Sequence, residues 1–162
     1  MKIYSKTGDM GETFALKGKR LSKNDLLIHF LGETDELNSR LGLVKAMHPD
    51  NNVCQFIEEI QKKIMKLMSH VSDIENEKYF FTEDEIAVLK NEIERLSEKT
   101  DKPLQFVIPG KDILEAQIHL ARTAARKTER MFFAVNEHSN LCQKAGAYLN
   151  RLSDYLFVLS QC

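Results

Sequence analysis

From Val53 to Ile74 the apolar residues Val53, Ile57, Ile60, Ile64, Leu67, Val71 and Ile74 recur at alternating steps of four and three. An α-helix turns once in about 3.6 residues, so this spacing places all seven on one face. A face that long must be buried against other elements, which points to a bundle. Seven glycines and three prolines punctuate the 162 residues, and Gly8, Gly11 and Gly18 fall within the first 20. The head therefore reads as a loop or short strand, and the rest is free to be helical.

Four further helices follow from the same periodicity. Leu27, Phe30, Leu37, Leu41 and Val44 predict a first helix from Asn24 to Met47, with Ser22 or Asn24 as its cap and "HPDN" as its stop. Thr82 with Glu85 forms a capping box ahead of Ile86, Leu89, Ile93 and Leu96, which makes the third helix. "KPLQFVIPG", residues 102 to 110, has proline near both ends and reads as an extended connection. A fourth helix is expected from Asp112 to about Val135, and a fifth from about Ser139 to Ser160. The acidic run "ENEKYFFTEDE" is expected to be a solvated inter-helix loop. The expectation is an all-α, five-helix bundle in a single domain, 1–162, with 1–21 as an N-terminal loop and 22–162 as the bundle.

Charge narrows the partners. Lys and Arg number 23 against 24 Asp and Glu, so no global field attracts nucleic acid or an anionic membrane, and any anion site is local. Cys54, Cys142 and Cys162 are scattered and lack C-x-x-C spacing, which fits a reduced, cytoplasmic setting. "MKIYSKTGDMGE" has no apolar leader region, and no stretch approaches the roughly 18 apolar residues of a membrane span.

Candidate chemistry concentrates on the fourth helix. Glu115, His119, Arg122, Arg126 and Glu129 share one face, beside an apolar face of Leu114, Ile118, Ala121, Ala125 and Phe132. The polar stripe runs along a core boundary, although a solvated face tied by intrahelical pairs fits the same pattern. On the first helix Ile28, Gly32, Asp35, Ser39 and Gly42 form a stripe of mostly small side chains around one carboxylate, which could meet an arginine of the fourth helix. The fifth adds Gly146, Asn150, Ser153 and Phe157. In the head, "SKTGDMGET" sets two glycines beside hydroxyls and Lys6, a candidate nest of N–H groups for an anion. It is not a Walker A loop: six residues separate Gly11 from the next "GK", and Arg20 stands where Ser or Thr is required. The five histidines do not cluster, so no protein-built metal centre is expected.

Taken in order, "YSKTGDMGET", "SKNDLLIHFLGETDELNSRLG", "FVIPG", "ARTAARKTER" and "YLNRLSDYLFVL" resemble the ATP-dependent corrinoid adenosyltransferases of the propanediol-utilisation type, over nearly the whole chain. The resemblance implies a homotrimer with active sites between subunits. It implies transfer of the 5'-deoxyadenosyl group of ATP to the cobalt of reduced cobalamin, with release of triphosphate. It further implies that Thr7, Gly8, Asp9, Gly11 and Lys23 form the nucleotide-phosphate loop and that Arg126 reaches the triphosphate. Glu129 and Arg130 match the motif's "ER", Arg130 on the ATP side, and Asn150 stands near the nucleotide. Asp35 and Arg122 match an ion pair that organises the interface and the corrinoid side. Phe106 matches an aromatic beneath the corrin, and Ser153 is placed on the corrinoid side. Mg2+ is expected on the ATP phosphates, and whether K+ assists is open. A reductase and a cobalamin-dependent acceptor enzyme are the implied partners.

The chain departs from that pattern at Lys111, where relatives commonly have a second glycine, and in stopping at Cys162. These motivate an alternative, a trimeric corrinoid- and nucleotide-binding carrier with little catalysis. Lys127 and Thr128 replace the usual arginine and alanine, and Lys127 is expected in solvent.

Overall fold

The computed structural model describes residues 8–14, 18, 20–98 and 107–162. Lys6, Thr7 and Phe106 lie outside the described residues. Five helices carry the fold: α1 (Leu26–Met47), α2 (Asn51–Ser72), α3 (Glu83–Ser97), α4 (Ile113–Asn136) and α5 (Gln143–Leu159). Ahead of them β1 (Glu12–Phe14) and β2 (Arg20–Ser22) pair antiparallel, with Thr13 opposite Leu21. The head is thus a hairpin, and a 2.8 Å Arg20–Glu12 ion pair spans it. Gly11 enters it at φ 81°, in the left-handed region that glycine occupies without strain.

Local chemistry sets the boundaries. Neither Ser22 nor Asn24 caps α1, because the chain turns there: the Asp25 amide donates to Ser22 O at 2.9 Å and Asp25 becomes the cap, accepting the Leu27 amide at 2.9 Å. Asp50 caps α2 and Asp112 caps α4 in the same way, and the Thr82–Glu85 capping box on α3 is present in both directions. Helix α5 begins at Gln143 rather than Ser139, because Asn136 Oδ1 takes the Leu141 amide at 2.8 Å and Leu141 buries in the loop. The acidic run departs from a solvated loop. It holds a 3-10 turn, Glu77–Tyr79, and the first residues of α3, and it sends Phe81 into the core 5.0 Å from the Tyr148 ring.

Helix α1 packs between α2 and α4, α4 packs on α1 and α5, and α5 packs on α3. Lys63 and Lys66 reach Glu85 at 2.6 and 2.8 Å and tie α2 to α3, while Phe56 meets Tyr155 edge-on at 5.1 Å between α2 and α5. Six of the seven stripe residues on α2 are buried, and Ile74 lies past the helix end. Each buried aliphatic side chain contributes about 1.5–3 kcal/mol, so α2 is a principal source of stability. No helix among the described residues is long and apolar enough to cross a membrane.

Gly146 is a packing residue: a Cβ there would stand 2.9 Å from Phe133 Cζ and 3.0 Å from Phe132 Cε1. Phe132 is fully buried and cannot yield. Gly146→Ala is expected to destabilise by roughly 1–3 kcal/mol of overpacking, partly offset by about 1 kcal/mol of helix propensity, read as a lower denaturant midpoint.

His70 is buried near the end of α2, and its Nε2 accepts the Cys142 amide at 3.0 Å. The ring proton therefore sits on Nδ1, which has no hydrogen-bond partner. Because Cys142 makes no side-chain cap bond, His70 ties down the start of α5. Burial, and secondarily the Lys66 charge, push the imidazole below its ordinary value of 6.5. The unfolded chain then binds the extra proton first as pH falls, so stability present above pH 6.5 is lost toward the depressed folded value. Urea midpoints should fall between about pH 7.5 and about pH 5.5 in the wild type and fall less in His70→Gln; equal slopes would exclude His70 as the source.

Candidate functional site

Helix α4 buries more than its expected apolar face. Besides Ile118, Ala121, Ala125 and Phe132, it buries Ala124 and Thr128, because α1 lies close enough for Thr128 Oγ1 to donate to Glu33 O at 3.3 Å. Lys127 is not simply in solvent: it is half-exposed and reaches Glu33 at 2.7 Å. The polar stripe separates by depth. Glu115 and His119 are buried, Arg122 and Glu129 are half-buried, and Arg126 is exposed.

Arg122 and Arg126 line one cleft of about 440 Å³ with His119. Ser153, Asp154, Phe157 and Val158 of α5, Ile93 of α3, and Val107 complete it. One wall is cationic and the other largely apolar. The acids near this wall have other partners. Asp154 pairs with Arg151 at 3.0 Å, and Glu129 accepts from Asn150 Nδ2 at 2.9 Å. Arg151 also donates to Asn150 Oδ1, and Ser153 Oγ donates to Asn150 O at 2.9 Å, so Asn150 is held from three sides. Arg122 Nε donates to His119 Nδ1 at 3.2 Å, and a neutral acceptor leaves its charge uncompensated.

The hairpin gathers a second group. Gly11 N donates to Gly8 O at 3.3 Å, Lys23 N donates to Gly11 O at 2.8 Å, and Lys23 Nζ bends over the loop, 3.5 Å from where a Gly8 Cβ would stand. Asp9 is exposed beside them. Gly8, Asp9 and Gly11 thus share one turn, and the Lys23 side chain lies over it.

Other expected residues stand apart. No Asp35–Arg122 ion pair forms within this chain. Helix α1 turns Glu33, Thr34 and Leu37 toward its neighbours, and at about 100° per residue Asp35 faces away, exposed. A Cβ on Gly32 would meet nothing within 4 Å, and Asp35 and Ser39 are exposed, so the middle of the stripe of small residues is an outer surface, whereas Gly42 at its end lies against Gln61 of α2, 3.3 Å from where a Cβ would stand. Arg130 lies away from the arginine cleft, in an α1–α4 groove of about 330 Å³ with Arg40 and Lys127, where its guanidinium donates to Arg126 O at 3.2 Å. Asn150 lines a larger α3–α5 groove of about 670 Å³. Asp154 and Arg151 went unread in the sequence, and the signal for them was present: Asp154 stands one step from Ser153, within the quoted "LNRLSD".

These features define a mostly helical bundle with a small two-stranded hairpin and a cleft that is cationic on one wall and largely apolar on the other. The chain belongs to the cobalamin adenosyltransferase family, whose profile matches residues 3–162. A corrinoid adenosyltransferase of Citrobacter freundii is 34% identical over 99% of this chain and 93% of its own length. One from Mycobacterium leprae is also 34% identical, over 99% of this chain and 90% of its own. A variant of a PduO-type ATP:corrinoid adenosyltransferase from Lactobacillus reuteri, solved with cobalamin and ATP, superposes with a TM-score of 0.91 at 29% identity, covering 99% of this chain and 89% of that one.

Proposed function

We propose that this chain transfers the 5'-deoxyadenosyl group of ATP to the cobalt of cob(I)alamin, giving adenosylcobalamin and triphosphate. The observation that carries the reading is the cleft with Arg122 and Arg126 on one wall and apolar side chains on the other, in a member of this family. Cobalt(I) supplies the electron pair of the new Co–C5' bond, and the C5'–O bond of ATP breaks with its pair left on triphosphate. The protein's task is to align the two and to meet the charge that gathers on the leaving oxygen.

Arg126, exposed at the rim, is suited to the triphosphate, and the Gly8–Gly11 loop with Lys23 to the remaining phosphate oxygens. Asn150, fixed by Glu129 and Arg151, offers a rigid amide near the nucleotide. Arg122 and Ser153 face the corrinoid side, where the family resemblance also assigns Phe106, a residue outside the described ones. Among the described residues no three His, Cys, Asp or Glu side chains converge, so Mg2+ would ride on phosphate and water oxygens. Because the nucleophile is cobalt(I), a reductase must deliver it and an acceptor enzyme must take the product. The three cysteines are scattered in the sequence and lack C-x-x-C spacing, which supports a reducing, cytoplasmic setting.

Assembly belongs to the same reading. Neither Asp35 nor any described residue of the hairpin loop lines the arginine cleft, which supports a homotrimer in which neighbouring subunits complete each site and Asp35 of one meets Arg122 of the next. Anaerobic incubation with ATP, Mg2+ and reduced cobalamin should give many turnovers with triphosphate release, which a carrier would not. Arg126→Ala should lose transfer by about 10²-fold or more while its circular dichroism is unchanged, and unaltered turnover would overturn the assignment. Mixing Lys23→Ala chains with Arg126→Ala chains should restore turnover from two inactive parents. No recovery after denaturation and co-refolding would count against shared sites.

A further inference from the structure

Glu115 and His119 are 7% and 4% exposed, His119 lining the cleft and Glu115 one helical turn before it, and the transfer as drawn above uses neither. A buried carboxylate needs compensation, and Glu115 finds it in the loop before α4: Oε2 accepts the Gly110 amide at 2.7 Å and the Lys111 amide at 3.2 Å. Its other oxygen stands 3.0 Å from His119 Nε2, off the line of a well-formed hydrogen bond. On the far side of the ring, Nδ1 accepts from Arg122 Nε. An arginine Nε–H can only donate, so Nδ1 carries no proton and the ring's N–H is on Nε2, toward the carboxylate. One buried chain of polar atoms thus joins the 107–111 loop to the cleft's guanidinium.

We infer that Glu115 and His119 are positioning residues for the transfer: through them the loop and the Arg122 guanidinium are held in one register on the corrinoid side. This rests on the adenosyltransferase reading. Arg126, the hairpin loop and Asn150 are outside the chain of contacts, so the corrinoid and not ATP should feel its loss. Gly110, at φ 115°, lets the loop turn its amides down onto Glu115, and this gives Lys111 a task through its backbone that any non-proline residue could perform.

The test compares His119→Leu, His119→Asn and Glu115→Gln with the wild type, each checked for its fold by circular dichroism. Leucine fills the space and removes the acceptor; asparagine can return an oxygen near the Nδ1 position. Glutamine at 115 keeps its oxygen for the two loop amides and so turns its NH2 against the His119 N–H. His119→Leu and Glu115→Gln should each lower kcat/KM for the corrinoid, on the order of 10²-fold for a misplaced group, with the KM for ATP unchanged, and His119→Asn should recover much of it. In an Arg122→Ala background His119→Leu should cost nothing more, whereas a purely structural role would cost the same in both backgrounds. Corrinoid binding followed by visible absorbance gives a readout independent of turnover. An active wild type with unaffected His119→Leu binding and turnover, equal losses for ATP, or additive losses with Arg122→Ala would overturn the inference. An inactive wild type would instead overturn the adenosyltransferase reading, and binding losses confined to the corrinoid would still sustain the positioning role.

Discussion

The close packing of α4 between α1 and α5 is the contact on which the rest of the site depends. Ala121, Ala124, Ala125 and Thr128 keep the α1 side of α4 shallow, and Gly146 lets α5 ride directly over the Phe132 and Phe133 rings. With both neighbours that close, α4 cannot rotate, and a rotation of one residue, about 100°, is all that separates a buried position from an exposed one. The depth order along the polar stripe, from buried Glu115 and His119 to exposed Arg126, is held by that fixed phase. Helix α2, with its long apolar face, anchors the bundle but contributes nothing to the arginine cleft, so stability and site are carried largely by different helices.

The helices were legible because their signals are local. The seven-residue stripe on α2 and the Thr82 capping box act through neighbours a few residues away, and the structure keeps all but Ile74 of them as read. What was misjudged depended on contacts made across the chain. Asp25 displaced Ser22 and Asn24 as cap because the hairpin closes at Ser22, and Phe81 left its acidic surroundings because Tyr148 and Lys66 receive it from two other helices. The site divides the same way. Arg122 and Arg126 at a four-residue spacing had to share a face, whereas the direction of Asp35 depended on which side of α1 meets α4, a choice periodicity alone leaves open.

Electrostatics explains why the stripe reads as balanced in sequence and yet acts as a cation in space. Glu115, Glu129 and Asp154 accompany the two arginines and keep their charge, but each is drawn toward other donors, backbone amides, the Asn150 amide and Arg151, so that neither arginine has a carboxylate within ion-pair distance among the described residues. Arg122 is met by an imidazole nitrogen with no charge to give, and Arg126 has no ion-pair partner among the described residues. Two positive charges in a partly enclosed cleft repel each other and raise the free energy of the empty state. An incoming polyanion relieves that cost, which is why a cationic wall left without its own acids favours a ligand that brings them.

The same reasoning links catalysis to assembly. A complete anion site with Lys23, Arg122, Arg126 and Arg130 together on one monomer would concentrate four cations without a ligand to balance them. The chain instead keeps Lys23 on the hairpin and Arg130 in a separate groove, so each isolated surface carries a modest local charge. Bringing a second chain's hairpin to this chain's α4 would raise the local positive potential only where two subunits meet, with Asp35 offsetting part of it at the seam. Under that arrangement nucleotide and neighbouring subunit stabilise one another's binding, since each supplies what the other leaves uncompensated.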